Sequence, residues 1–113
     1  MLRALTIALA LLTAAPAFAQ SLRLDYRSAH FVWSTIGDDS NLAGFIVRCG
    51  GQPKNYVLQS ATLPIDAESF NVADLLRANG LYYCSVAATD GRVIIAESNE
   101  IALQVRGRWV TPQ

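Results

Sequence analysis

Seven short stretches of this chain alternate apolar and polar residues with a period of two, and that pattern narrows the accessible folds more than any other feature. Ser21–Arg27 sets Leu22, Leu24 and Tyr26 against Arg23, Asp25 and Arg27. Ala29–Thr35 sets Phe31 and Trp33 against His30, Val32 and Ser34. Gly44–Gly50 sets Phe45, Val47 and Cys49 against Ile46 and Arg48. Asn55–Ser60, Ser69–Ala73, Leu81–Thr89 and Asn99–Arg106 carry the same rhythm. A strand with one buried face needs it, because successive side chains leave the backbone on opposite sides. Turn residues separate the runs: Gly37–Asn41, Gly50–Pro53, Asn79–Gly80 and Asp90–Gly91. Asp74–Ala78 is long enough only for a helical turn between two strands. The expected fold class is all-β, a seven-stranded antiparallel β-sandwich.

The start of the chain follows a different logic. Met1–Leu2–Arg3 is a short basic opening, Ala4–Ala15 is apolar apart from Thr6 and Thr13, and Ala17–Phe18–Ala19 has the small-x-small form of a cleavage site. Residues 1–19 therefore read as a signal peptide, 20–106 as the sandwich and 107–113 as a C-terminal tail. The expected location is periplasmic or secreted. No apolar run outside the leader approaches the ~20 residues of a membrane span. Nine basic residues face nine acidic ones, and loss of Arg3 leaves eight against nine. A domain that close to neutral has no global field to recruit nucleic acid, so no nucleic-acid partner is expected.

An exported chain meets an oxidising space, and Cys49 and Cys84 are its only two cysteines. The simplest reading is one disulfide closing a loop of about 36 residues, for which the chain-entropy model gives ~3–4 kcal/mol. A redox pair would take the form C-x-x-C. A zinc site would need more ligands than His30, the single histidine, can supply. No cofactor or metal is expected.

The order of these pieces resembles the fibronectin type III family. Phe31–Val32–Trp33–Ser34 is similar to that family's second strand with its core Trp, and Gly44–Cys49 to its third. Leu76 lies six residues before Tyr82, followed by Cys84, Val86 and Ala88 in alternation, which is similar to the family's Leu-to-Tyr signature. The resemblance covers positions 21–106. It implies a sandwich of fibronectin type III or immunoglobulin-like type, a tyrosine corner at Tyr82, and third and sixth strands lying side by side with both cysteines inward. Tyr82–Tyr83–Cys84 also looks like a strand of an immunoglobulin variable domain. There, however, a Cys precedes the core Trp, whereas here Trp33 precedes Cys49.

Catalysis has no sequence support. His30 alternates out of phase with Phe31 and Trp33, and no nucleophile–base motif is present. Asp38 and Asp39 lack the ligand spacing of a calcium loop. The expectation is a non-catalytic module that binds a protein partner, in adhesion or assembly, through its loops. The resemblance points to the loop between the last two strands, Thr89–Glu97. Its candidate contacts are Arg92, Val93, Ile94 and Ile95, because consecutive apolar residues cannot all face inward on a two-faced strand. Trp109 in the tail is a further candidate anchor. The alternative is a carbohydrate-binding accessory domain that stacks sugars on Tyr56, Tyr83 and Trp109.

Overall fold

The computed structural model describes residues 5–12, 21–23, 30–37, 40–76 and 78–106. Nine strands lie among them: β1 (Thr6–Leu12), β2 (Ser21–Arg23), β3 (His30–Ile36), β4 (Gly44–Gly50), β5 (Leu58–Gln59), β6 (Ser69–Asn71), β7 (Gly80–Thr89), β8 (Ile94–Glu97) and β9 (Ile101–Arg106). A 3-10 turn, Val72–Asp74, follows β6. One sheet has the order β1-β3-β6, and the other β2-β9-β7-β4-β5, with β8 also paired to β7. Neighbours run antiparallel except β2 and β9, which are parallel. The class is all-β with two sheets, and each of the seven expected runs overlaps a strand.

The alternation in sequence becomes the core. On β4, Phe45, Val47 and Cys49 are buried while Ile46 and Arg48 are half-buried on the far side. Cys84, Val86 and Ala88 of β7 and Leu103 and Val105 of β9 complete that sheet's inner face. The other sheet contributes Phe31 and Trp33. Trp33 and Phe45 meet across the gap with ring centroids 5.6 Å apart and planes tilted by 56°, a favourable offset geometry that ties β3 to β4.

Cys49 and Cys84 stand directly opposite each other on β4 and β7 and are disulfide-bonded, with Cα atoms 4.1 Å apart. The bridge thus joins neighbouring strands within one sheet, rather than linking the two sheets. Both residues are fully buried, so the sulfurs replace apolar side chains in the core.

Two strands lie outside the expected seven, and one of them falls inside the expected leader. In the full chain Thr6–Leu12 pairs with β3 along its whole length, from Thr6 opposite Ile36 to Leu12 opposite His30. Ile7 and Leu9 are buried, whereas Ala8 and Ala10 are exposed. Large residues alternating with alanine give this apolar run a period of two in size, which a strand can use.

Leu76 and Tyr82 form the expected corner. Leu76 is fully buried, and the Tyr82 hydroxyl donates to the Ala78 carbonyl at 2.9 Å, fastening the turn that enters β7. Tyr82→Phe keeps the ring and removes that bond. It should lower unfolding stability by about 1 kcal/mol, the net worth of one such hydrogen bond, as measured by denaturant titration.

Candidate functional site

The hairpin between β7 and β8 is the most strongly built exposed feature. Asp90 and Gly91 open its turn. Gly91 has φ of 97°, a left-handed conformation that glycine adopts without steric cost, and Arg92 does not share it. The Asp90 carboxylate accepts from the backbone amides of Arg92 at 2.8 Å and Val93 at 2.9 Å. Those two amides hold its carboxyl below the usual carboxylate range, Val93 contributing most. The Thr89 hydroxyl donates to the Val93 carbonyl at 2.9 Å and accepts from the Gly91 amide at 3.0 Å. Four side chain–backbone bonds therefore tie together five consecutive residues, Thr89–Val93.

The apolar run then departs from regular pairing. Ala88 stands opposite Ala96 but Thr89 opposite Ile94, leaving Ile95 as an extra residue. That bulge is why the run does not alternate between buried and exposed. Ala96 packs against the core, while Val93, Ile94 and Ile95 are 61%, 40% and 38% exposed. Arg92, also exposed, sits beside them at the turn. The four loop candidates are thus brought together on one rigid hairpin. Trp109, the fifth, lies outside the described residues.

The same end of the sandwich carries other exposed apolar residues. Thr89 pairs with Gly44, and Phe45 bridges to Leu63, which places the segments after β3 and before β6 beside the hairpin. Ile36 is 75% exposed and Ile65 59%. Ile65, Trp33, Phe45 and Glu68 line a cleft of about 280 Å³ there.

A second constellation lies on the outer face of the larger sheet, and sequence reading missed it. The segment after β4 folds back across that face. Its close approach requires Gly50, where a Cβ would fall 1.8 Å from the Asn55 carbonyl oxygen. Asn55 closes a turn by donating its amide to the Gln52 carbonyl at 3.2 Å, with Lys54 held at φ of 64°. The Tyr56 hydroxyl donates to the Glu100 carboxylate, and the Lys54 amide donates to the same oxygen at 2.9 Å. Arg48 lies over the Tyr56 ring, 4.8 Å from its centroid, and pairs with Glu97. Burial and then the bond to Glu100 raise the Tyr56 pKa, and the Tyr56 hydroxyl lowers that of Glu100.

These shifts define a pH window for the clasp. Glu100 is depressed on folding, so its contribution is present above its ordinary 4.5 and fades as pH falls through the lower folded value. Tyr56 is raised above its ordinary 10.0, so its contribution is lost only as pH rises through the higher folded value. An NMR titration should show the Lys54 amide reporting a carboxylate that protonates below pH 4.5, and Glu100→Gln should abolish that titration. The arrangement is a structural pin. It occupies one face of the Tyr56 ring with Arg48 and its hydroxyl with Glu100.

His30 opens β3, opposite Asn71 and Leu12, away from the cleft and the hairpin. Among the described residues there is no group of three or more His, Cys, Asp or Glu able to hold a metal ion. No helix among them is long and apolar enough to cross a membrane. No family model, curated protein or solved structure matches the chain.

Proposed function

We propose that this chain is an extracytoplasmic sandwich of fibronectin type III-like topology that binds a protein partner through the β7–β8 hairpin. The observation that carries the reading is the combination of rigidity and exposure at Val93, Ile94 and Ile95. Four hydrogen bonds order the turn before any partner arrives, so little conformational entropy is lost on binding. Three adjacent large apolar side chains in water are costly unless something covers them. Arg92 at their edge gives the patch a polar rim of the kind found at protein interfaces.

The strand order supports the topology. A three-stranded sheet faces a larger one, the chain crosses between sheets from β3 to β4 and again from β5 to β6, and a tyrosine corner closes the entry to β7. The buried Cys49–Cys84 bridge fits an oxidising compartment.

The test compares baits in an extracytoplasmic fraction. Wild-type protein should retain a partner that the Val93→Ser/Ile94→Ser/Ile95→Ser variant loses. Val57→Ser, which removes a still more exposed apolar residue elsewhere, should still retain it. A partner held equally by all three baits would reject the hairpin as the contact.

A further inference from the structure

The crossing from β5 to β6 leaves part of β3 without a neighbour on one side. Leu63 still belongs to the larger sheet, exchanging backbone bonds with Phe45 at 3.0 and 2.7 Å. The Ala67 amide then closes a turn on the Pro64 carbonyl at 3.0 Å. The chain reaches the smaller sheet at Glu68, whose carbonyl accepts from the Trp33 amide at 3.0 Å. From there β6 pairs with β3 only toward the start of that strand, over His30–Val32. β3 itself runs on to Ile36. In an antiparallel ladder alternate residues turn amide and carbonyl to the same side. Thr35 therefore presents both groups on the side of the Trp33–Glu68 bond, beyond the last pairing.

The cleft of about 280 Å³ lies against this edge, lined by Thr35 on β3, by the turn that carries Ile65, Asp66 and Glu68, and by the buried Trp33 and Phe45. It falls below the ~300–1,000 Å³ usual for small-molecule pockets, but it has room for a side chain. Asp66 and Glu68 are exposed carboxylates, and no basic residue lines the cleft. Neither carboxylate is ion-paired among the described residues. Trp33 is 4% exposed, and its indole N–H has no hydrogen-bond partner among the described residues. Unpaired backbone, an unpaired indole donor and uncompensated negative charge thus meet in one place.

An unpaired strand edge takes up extended backbone, and pockets along it select side chains. Charge decides which segment fits here. A second copy docking symmetrically by this edge would set its own Asp66 and Glu68 against these. A nucleic acid would bring phosphates to the same two carboxylates. A lysine or arginine instead lays its aliphatic stem on apolar surface and keeps its charge in water. Ile65, 59% exposed beside Trp33 and Phe45, supplies that surface, and the two carboxylates supply the counter-charge. The backbone of the same segment brings carbonyl acceptors to the Thr35 amide and to the wall that holds the Trp33 N–H.

We propose that the β3 edge at Thr35 and the acidic cleft beside it bind an extended basic segment of another protein, its backbone paired to Thr35 and a Lys or Arg side chain seated toward Asp66 and Glu68. This contact lies at the same end of the sandwich as the hairpin but does not rest on the hairpin reading.

An NMR titration of the full chain with the peptide Thr-Val-Lys-Val-Thr, blocked at both ends, tests this. The Thr35 amide should shift and saturate. The same peptide with Glu in place of Lys should bind at least about threefold more weakly, the scale of an exposed ion pair. Asp66→Asn/Glu68→Gln should weaken the Lys peptide by at least about the same factor. Val93→Ser/Ile94→Ser/Ile95→Ser should bind it as wild type does, which separates failure of this site from failure of the hairpin. No saturable shift at Thr35, equal affinity for the Lys and Glu peptides, or unchanged affinity in the Asp66→Asn/Glu68→Gln variant would overturn the proposal. Loss of peptide binding in the hairpin variant, or a Thr35 amide protected by dimerisation without peptide, would overturn it too. The comparison of the two peptides uses wild-type protein alone, so it decides the matter even where a variant does not fold.

Discussion

Replacing Cys84 with serine should lower the thermal midpoint by roughly 12–32 °C, given ~3–4 kcal/mol for a 36-residue loop and ~4–8 °C per kcal/mol in a domain this size. The bridge closes that loop between β4 and β7, which share seven register positions. The substitution also leaves a hydroxyl and a lone thiol where both side chains are fully buried. Cys49→Ala/Cys84→Ala removes the polar remnants and isolates the cross-link, so its loss should be somewhat smaller. Differential scanning calorimetry of the three proteins separates the contributions. A single-serine midpoint within a few degrees of wild type would show that the bridge contributes little.

Truncating Phe31 to alanine is expected to cost about 3–5 kcal/mol, the range for emptying a fully buried aromatic site. Phe31 is 0% exposed at the centre of the smaller sheet, opposite Leu11 on β1 and Phe70 on β6. Its neighbours sit on paired strands and cannot collapse into the space without breaking ladders. The cavity should therefore persist and the cost fall toward the upper end. Urea unfolding should show a lower midpoint with an unchanged slope. A loss below about 1 kcal/mol would mean that the smaller sheet does not cover the core as described.

How much of this was legible beforehand depended on how regular each segment is. β4 spans the residues expected of it, Gly44–Gly50, and β7 starts one residue early, because both alternate cleanly with strong turn residues beside them. The Leu76–Tyr82 spacing predicts a corner that the Tyr82 bond to Ala78 supplies. β1 was hidden because its alternation is of large against small rather than apolar against polar. β8 was hidden by its bulge, since Ile94 and Ile95 follow one another in exposure instead of alternating. The clasp at Tyr56 was beyond reach for another reason. Its partner Glu100 is 44 positions away, and only the fold over Gly50 brings them together. Of the candidate site, the residues of the hairpin were readable, whereas the network that stiffens it was not. Asp90 and Thr89 read only as turn residues until their oxygens are seen capping the amides of 91–93.

The hairpin reading requires that its apolar residues serve recognition and not folding, and one paired measurement addresses both. Val93→Ser/Ile94→Ser should leave the thermal midpoint within a few degrees of wild type, because Val93 is 61% and Ile94 40% exposed and neither belongs to the buried core. The same variant should bind the partner captured by the wild-type bait at least tenfold more weakly, as loss of apolar anchors at an interface costs more than 1 kcal/mol. Unchanged affinity, or a midpoint that collapses along with affinity, would contradict the account.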